Sequence, residues 1–584
     1  MTTSDQLSGV GDLGGLFGLE AGMPEPMTGN ISPQERAKTK TPSRPIDAIE
    51  AEIFRFATTS VVDEIELNLT RTAYSELIYE YKDYCVGIVL ANFELLTQSS
   101  GSMPIFVGDL GPQVQDAVET IGVDALREGD VFIHNWSGTN GQHLNHISCC
   151  TPIFDQGKIV AYIVIRAHWA DIGGSAPTSL SWKARTIFEE GIQYRGLRVM
   201  REGELVQDVM ATIQANTRSP AAITGDLMAQ VAGCILGCSR WADRVTSRWS
   251  RDDLEKLIAF QAQASAALGR EALQKIPDGH YEAACRLDNA GVEGTEPVNL
   301  HVAVTIADGS MEVDFTGMPD QVLTPINSGR LGGAVNIAKL AFKALCLPDR
   351  PADEWMFDAL KIVAPLGSVV SATAEAPKGF WVMIPPTAVD LIFRAIGNAH
   401  PELVPAGHHG TVSGIFFTGN REKTGKFWLA IESYGGGFGA TSTQDGYGPL
   451  KSFIHGDNPG IPIELLEARF PLRIQSTRLR REAGGAGQHR GGAGIERIVE
   501  TLEPLSLQTA FDRTIDPPWG LAGGEAGLPG EVHVKQPGSD IWVETNKVTG
   551  FPLKCGALVR IRTAGGGGWG KAGTDNDNGN REAA

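Results

Sequence analysis

The sequence predicts an α+β protein: a multi-domain mixed fold with a β-rich core, Gly-rich loops and a peripheral helical segment. Apolar residues make up 42% of the 584 residues, enough for large hydrophobic cores. They occur in some segments at helical spacing and in others as short strand-like runs. The 70 glycines, about 12% of the chain against a usual ~7%, indicate loops, tight turns and close backbone approaches rather than a helical bundle.

Composition and local pattern divide the chain into six segments. The predicted segments are a flexible N-terminal arm (1–45), a metal-site α/β region with a β-hairpin (46–182), a mainly helical region (183–279), a β-rich mixed domain (280–510), a small C-terminal β region (511–573) and a frayed tail (574–584).

Individual elements follow from the spacing of apolar residues. Helical spacing over 47–72 predicts a long amphipathic helix. The same reasoning predicts, in order, a strand at 84–90, a helix at 114–126, a strand at 131–133, β structure at 281–315, and helices at 333–346 and 386–399.

Residues 147–167 are predicted to form a β-hairpin. Strand-like runs at 147–154 and 158–167 flank a short turn at Asp155, Gln156 and Gly157. A hairpin folded about Gln156 places His168 opposite residue 145 or 146, depending on the loop type.

Charge and cysteine content exclude several classes of protein. The formal net charge of −19 provides no basic surface for nucleic acid or anionic membranes. Apolar runs such as 159–167 reach about half of the ~20 residues that span a bilayer. The eight cysteines include no C-x-x-C pair, and the N-terminus shows no secretory pattern. We therefore expect a cytoplasmic protein with reduced thiols.

Three histidines converge on the predicted hairpin. His143 and His146 precede its first strand, and His168 ends its second. Opposed Cβ atoms lie ~4.5–5.5 Å apart, so His146 and His168 are expected to be neighbours, with His143 closing the cluster. Three imidazoles with an open position are typical of a catalytic metal site. The alternative is that they are ordinary polar residues at strand ends, since a register slip of one residue turns one ring to the other face.

Other side chains are further candidates for chemistry. Asp171, three residues after His168, is a possible fourth ligand or hydrogen-bond acceptor for a ligand. Asp83, where a strand begins, is a possible ligand, base or cap, and His409 is a possible loop base. Cys149 and Cys150 lie in an apolar strand and are predicted to be core residues. No G-x-x-x-x-G-K-[ST] loop occurs, so ATP, if used, is bound by another chain.

The order of short motifs along residues 46–571 resembles the hydantoinase B/oxoprolinase family. The motifs that carry the resemblance are Arg71-Thr-Ala-Tyr-Ser75 with Lys82-Asp83, Gly129-Asp-Val-Phe132, Gly141-Gln-His-Leu-Asn-His146, Ala167-His-Trp-Ala-Asp-Ile-Gly-Gly174, Phe188-Glu-Glu-Gly191, Ala215-Asn-Thr-Arg218, Asp314-Phe-Thr-Gly317, Gly435-Gly-Gly437, Ala483-Gly-Gly-Ala-Gly487, Arg490-Gly-Gly492, Pro518-Trp-Gly520 and the run Gly565–Gly568.

The resemblance implies a function and a partner. Members of the family work with a hydantoinase A-type subunit that binds ATP with Mg²⁺; they include N-methylhydantoinases, 5-oxoprolinases and caprolactamases, and acetone and acetophenone carboxylases are related. The resemblance also implies a divalent metal at a His-x-x-Asp motif plus a downstream His, which correspond to His143, His146 and His168.

Two departures from the family pattern bear on the site. His146 stands where the family has Asp, which removes a negative charge and favours Zn²⁺ or Fe²⁺ over Mn²⁺. Asn135-Trp-Ser137 stands where the family has Asn-Asp-Pro, which puts the usual substrate contacts in question.

The leading hypothesis is a B-type subunit of an ATP-dependent cyclic-amide hydrolase, in a hetero-oligomer such as α2β2. Its small-molecule substrate is a hydantoin, lactam or oxoproline-like ring, its metal ligands are His143, His146 and His168, and its base is Asp83, Asp171 or His409. The alternatives are a subunit of an ATP-dependent ketone carboxylase, and a non-catalytic scaffold that binds no metal.

Overall fold

The fold combines several β-sheets with helices, which confirms the predicted α+β class. The structure, a computed structural model, describes residues 46–291, 296–456 and 458–572. The predicted arm at 1–45 and the predicted tail at 574–584 lie outside the described residues. The domain divisions drawn from the sequence stay predictions.

Helices occur mainly in the first half of the described chain. The α-helices are α1 (Ala48–Thr72), α2 (Glu76–Tyr79), α3 (Leu110–Ile121), α4 (Ser137–Asn140), α5 (Gln207–Ala215), α6 (Pro220–Trp241), α7 (Arg251–Leu273), α8 (Asn336–Cys346), α9 (Pro385–Gly397) and α10 (Ile463–Arg469). Short π-helical turns extend α6 (Ala242–Thr246) and precede α8 (Leu331–Val335).

The strands of the described residues form four sheets. The first sheet contains β1 (Tyr84–Leu90), β2 (Leu95–Gln98), β3 (Val131–His134), β4 (His146–Asp155), β5 (Lys158–His168), β6 (Leu197–Arg201) and β7 (Glu204–Leu205). The second sheet contains β8 (Gly279–Leu287), β9 (Val298–Ala307), β10 (Ser310–Asp314) and β11 (Leu360–Val363). The third sheet contains β12 (Gly414–Asn420), β13 (Phe427–Ser433), β16 (Leu505–Ala510) and β19 (Lys547–Leu553), and the fourth sheet contains β14 (Leu472–Arg480), β15 (Gly494–Thr501), β17 (Glu531–Lys535), β18 (Val543–Glu544) and β20 (Leu558–Arg562).

The predicted hairpin lies in the middle of the first sheet, whose strand order is β2-β1-β5-β4-β3-β6-β7. Gln156 and Gly157 both have positive φ (49° and 75°), as a two-residue type I′ turn requires. A bulge between Ile153 and Phe154 then shifts the register by one residue. Because of this shift His168 pairs with His146 rather than with residue 145.

Helix α6 packs on one face of this sheet, against the hairpin strands β4 and β5. Gly233 and Gly237 lie against Ile165 and Ile163 of β5, so a Cβ at either glycine would crowd the strand. By length and composition alone Pro220–Thr246 could cross a membrane, but half of its apolar stretch is buried inside the protein. Its contacts with the strand are those of a core helix.

Most of the predicted elements are confirmed, with two differences. The helix at 47–72, the strands at 84–90 and 131–133, and the helices at 333–346 and 386–399 correspond to α1, β1, β3, α8 and α9. The helix predicted at 114–126 is α3, which ends at Ile121 and is followed by a separate 3₁₀ turn at Val123–Ala125. The second difference lies in the helical region at 183–279, which contains α5, α6 and α7 but begins with β6 and β7, two strands that extend the first sheet. Strands of five and two residues are too short to show an alternating pattern.

Candidate metal centre

The hairpin brings two of the three histidines together. His146 begins β4 and His168 ends β5; the two residues are paired, and their ring centroids lie 5.2 Å apart. His143 precedes β4, with ring centroids 4.2 Å from His146 and 4.9 Å from His168. One ligand nitrogen from each ring lies within 4.8 Å of the other two, and all three side chains are buried.

Hydrogen bonds fix which ring nitrogens face each other. His143 Nδ1 lies 3.2 Å from the Gly379 carbonyl oxygen, and His146 Nδ1 lies 2.8 Å from Gln142 Oε1. Both partners accept, so both Nδ1 atoms carry the proton and both Nε2 atoms keep a lone pair. The two Nε2 atoms are 3.2 Å apart, close to the ~3.3 Å edge of a tetrahedron with Zn–N bonds of about 2.0–2.1 Å. The donor set fits a cation shared by these lone pairs.

Asp83 adds an oxygen to this nitrogen set. Its Oδ1 atom is buried 3.4 Å from His146 Nε2 and has no hydrogen bond within the described residues. The Asp83 carbonyl accepts from the His168 backbone N–H at 3.0 Å, which joins the start of β1 to the end of β5. His168 Nδ1 is likewise buried without a hydrogen bond in that part of the chain. Such unpartnered buried groups are expected around an ion.

The surroundings keep the histidines neutral. Burial lowers the pKa of His143 and His146 well below the usual range, and the neighbouring imidazoles lower it further. Burial also lowers the pKa of His168, while Asp83 acts in the opposite direction. Neutral imidazole is the form that binds a metal, so the rings are ready to do so at neutral pH.

The histidines open onto a small, mostly apolar cavity of about 60 Å³. A cavity holds a water once it exceeds ~10–15 Å³, so this one accommodates several waters or a compact group. Its walls are Leu77, Tyr81, Asp83, Met103, Ile105, the three histidines, Leu180, Gly379, Phe380, Trp381, Val382, Val412, Phe416, Ile431, Ile454, His455 and Ala510.

Several of these wall residues were missed by sequence reasoning. Trp381 lies edge-on to His143 and His146, with ring centroids 6.1 Å away. His455 Nδ1 lies 2.9 Å from the Ser452 hydroxyl, and burial lowers the pKa of His455 to about 3. Both come from segments more than 200 residues after the hairpin, and no local pattern in the sequence links such segments to it.

Asp171 and His409 are placed differently from Asp83. Asp171 Oδ2 accepts from Arg218 Nη1 at 2.8 Å, while Oδ1 accepts from the Arg218 and Gly173 backbone N–H groups. This joins two of the family-like motifs, but Asp171 does not line the cavity. The His409 ring packs against Gly436 and lies 5.2 Å from His408, also outside the cavity walls.

Glu190, from the motif at 188–191, supports His143 indirectly. Its Oε1 atom accepts from the backbone N–H groups of Gly379 and Lys378 at 2.7 and 2.9 Å. The carbonyl of the same Gly379 accepts the proton of His143 Nδ1. Burial raises the pKa of Glu190 to about 8. The motif thus anchors the loop that orients a candidate ligand.

Residues 135–137, where the sequence resemblance predicts a departure from the family pattern, lie away from the cavity wall. Asn135 donates to the carbonyls of Leu144 and Ile192, and Ser137 donates to the carbonyl of Ala374. None of residues 135–137 lines the cavity.

Comparison with known proteins relates the whole chain to one group. The family model described as hydantoinase B/oxoprolinase matches residues 47–572. An uncharacterized protein of Methanocaldococcus jannaschii is 31% identical over 90% of this chain and 91% of its own length. The B-type subunit of a putative D-/L-hydantoinase from a Pseudomonas species is 27% identical, covering 91% and 92% of the two chains. The beta subunit of the Pseudomonas jessenii caprolactamase is 28% identical, covering 90% and 91%.

Solved structures show the same fold. The ATP-dependent caprolactamase of Pseudomonas jessenii superposes with a TM-score of 0.84 at 24% identity, covering 90% of this chain and 92% of that one. A nucleotide-free acetone carboxylase superposes with a TM-score of 0.81 at 17% identity, covering 89% and 75%. With a family model that matches nearly all of its length, the chain belongs to the hydantoinase B/oxoprolinase family.

Proposed function

We propose that this chain is the B-type subunit of an ATP-dependent cyclic-amide hydrolase, acting on hydantoin-, lactam- or oxoproline-like rings. The observation that carries the proposal is the convergence of three buried, neutral imidazoles on one small cavity. The names of its relatives, which include a B-type hydantoinase subunit and a caprolactamase beta subunit, support the class of reaction.

His143, His146 and His168 hold a divalent ion, Zn²⁺, Fe²⁺ or Mn²⁺, with Asp83 beside it. When bound, such an ion polarises a substrate carbonyl and lowers the pKa of a water molecule. Asp83 is the base, since its unpartnered oxygen is buried next to the imidazoles. Asp171 is already bound to Arg218, and His409 lies outside the cavity.

The apolar cavity wall excludes bulk water and selects a compact ring. ATP is bound with Mg²⁺ by a hydantoinase A-type partner, because this sequence contains no phosphate-binding loop of the G-x-x-x-x-G-K-[ST] kind. The partner transfers a phosphoryl group from ATP to the amide oxygen of the substrate and releases ADP. At the histidine cluster water adds to the activated carbon, the ring C–N bond breaks, and phosphate leaves. We expect a hetero-oligomer such as α2β2.

The test uses the chain purified together with its ATP-binding partner. The complex is incubated with ATP and a hydantoin, 5-oxoproline or caprolactam, and ring-opened product and ADP are measured; parallel reactions contain acetone or acetophenone with bicarbonate. We expect ATP-dependent ring opening that His168→Gln abolishes. Carboxylation of a ketone without ring opening would establish the carboxylase alternative. Absence of bound metal with full activity of His168→Gln would establish the scaffold alternative.

A further inference from the structure

A buried polar network lies directly behind His146, on the side away from the cavity. Gln142 accepts from His146 Nδ1 through Oε1 at 2.8 Å, and its Nε2 donates to Asp109 Oδ2 at 3.1 Å. Arg166 Nη1 donates to the same oxygen at 2.7 Å. All four side chains are at most 2% exposed. The network therefore joins the candidate ligand to an ion pair in the core.

The direction of each hydrogen bond in this network is determined. Asp109 Oδ2 receives donors from Arg166, Gln142 and, at 3.4 Å, Gln113, so it acts as an acceptor whatever the state of the other oxygen. The Gln142 amide must then turn its NH₂ group toward Asp109 and its oxygen toward His146. An oxygen at that position accepts only from a protonated Nδ1, which leaves the His146 Nε2 lone pair facing the cavity.

We propose that Asp109 and Gln142 are positioning residues that hold His146 in its Nδ1-protonated tautomer and so prepare Nε2 to bind the metal. The inference rests on the proposed metal centre and extends it. A carboxylate at position 146 would offer oxygen lone pairs in any rotamer, whereas an imidazole binds only if its proton is kept on the far nitrogen.

The chain offers a matched control for a test of this role. Gln113 is the same residue type and is fully buried; it donates to the same Asp109 oxygen and, at 3.2 Å, to Asn140 Oδ1, and no hydrogen bond within the described residues joins it to an imidazole. Its Oε1 accepts from the Ser148 hydroxyl at 2.7 Å instead. Gln113→Met and Gln142→Met therefore remove equivalent buried amides from one network, and only the second releases His146.

The experiment measures the affinity of the purified full-length chain for Co²⁺ by chelator competition, together with the visible absorption of the bound ion. We expect Gln142→Met to weaken the affinity about 10- to 100-fold, as for other residues behind a metal ligand, and to change the spectrum. Gln113→Met is expected to stay within about threefold of the wild type with the same spectrum. Equal effects of the two variants would overturn the inference, because a purely structural role affects both alike.

A second measurement needs no variant of Gln142 or Asp109. In the metal-free wild-type protein, long-range ¹H–¹⁵N spectra of the histidine rings, assigned with His146→Gln, should show the proton of His146 on Nδ1. A proton on Nε2 overturns the inference even if Gln142→Met does not fold. Failure of the wild-type chain to bind Co²⁺ argues against the proposed metal centre instead, and the spectra still test the tautomer.

Discussion

The histidine cluster and the glycine-rich region around residues 565–568 are held together by different means. In the cluster, directed hydrogen bonds hold the rings: His146 Nδ1 donates to Gln142 Oε1, and His143 Nδ1 donates to the Gly379 carbonyl oxygen. In the glycine-rich region, bare backbone segments pack against each other. The four glycines of the run face the backbones of Ala483, Phe438, Trp519 and Ala486 in turn, and a Cβ at any of them would overlap those atoms.

Because of this difference, we expect the residues that carry the candidate chemistry and the residues that stabilise the fold to be different sets. The Gly567 N–H donates to the Gly407 carbonyl, and its own carbonyl accepts from Ala440. The glycines at 565–568 have no positive φ, so close approach rather than turn geometry explains them. Loss of one glycine should therefore affect folding and not ligand chemistry, whereas loss of a histidine should do the reverse.

The largest expected effect is at the cluster. His168→Gln removes one of the three imidazoles, and we expect metal affinity to fall about 10³-fold, equivalent to ~4 kcal/mol. The melting temperature of the wild-type protein should rise with added Zn²⁺, and that of the variant should not. Metal titration followed by calorimetry measures both. A variant that keeps the metal-dependent rise would show that the ion lies elsewhere.

The second largest effect is expected in the glycine-rich region, on the free energy of unfolding. Gly567→Ala places a methyl group into the backbone of Trp519, and we expect a loss of about 3 kcal/mol in the free energy of unfolding. Gly460→Ala is the control, because its Cβ meets open space; its effect should stay within about 0.5 kcal/mol. Urea unfolding gives both values. The folded fraction of Gly567→Ala should still bind metal, and loss of that binding would contradict the separation of the two regions.

The sequence predicted the parts of this arrangement that depend on neighbours along the chain. The hairpin and its paired histidines follow from strand runs on either side of Gln156-Gly157. The bulge between Ile153 and Phe154 could not be predicted, because its residues look like any others in an apolar strand. That one-residue shift nevertheless decides which residue faces His168.

The sequence pattern could not predict the side chains that distant segments contribute to the site. Asp171 was predicted, from its spacing after His168, to be a possible fourth ligand or hydrogen-bond acceptor for a ligand; its carboxylate binds Arg218, 47 residues further on, which the spacing did not indicate. Trp381 and His455 reach the cavity through loops whose course depends on tertiary packing. Local spacing predicted which histidines lie together, and it could not identify the groups that support them.

A pH-dependent loss of stability of intermediate size should arise at His134, in the strand β3 that lies beside the hairpin. Burial lowers the pKa of His134 to about 4, against about 6.5 in the unfolded chain. Below pH 6.5 the unfolded state binds more protons than the folded one, so stability is complete above that pH and falls as the pH decreases toward 4. Between pH 7 and 5 this costs about 2 kcal/mol.

Urea unfolding of the metal-free protein at pH 7 and pH 5 measures this loss. His134→Gln should reduce it by about 2 kcal/mol. His489→Gln serves as the control in the glycine-rich region, because the His489 side chain is 22% exposed. An equal reduction in both variants would show that the acid sensitivity is not concentrated near the hairpin.

The smallest expected effect concerns Glu190. At this residue a side chain holds a backbone segment in place, so it combines the side-chain hydrogen bonding of the histidine cluster with the backbone contacts of the glycine-rich region. Glu190→Gln keeps one oxygen that can accept from the Gly379 and Lys378 N–H groups, so the loop should remain and loosen slightly. We expect metal affinity to fall about three- to tenfold, or ~1 kcal/mol, with an unchanged Co²⁺ spectrum, since His143 keeps its bond to Gly379. The adjacent Glu189→Gln is the control: the Glu189 side chain accepts from the Thr186 and Arg185 N–H groups, and no hydrogen bond within the described residues joins it to Gly379 or Lys378. If the two variants bind Co²⁺ equally well, the Gly379 carbonyl is held by its own loop and not by the Glu190 side chain. His143 would then be supported by backbone packing, as the glycine-rich region is.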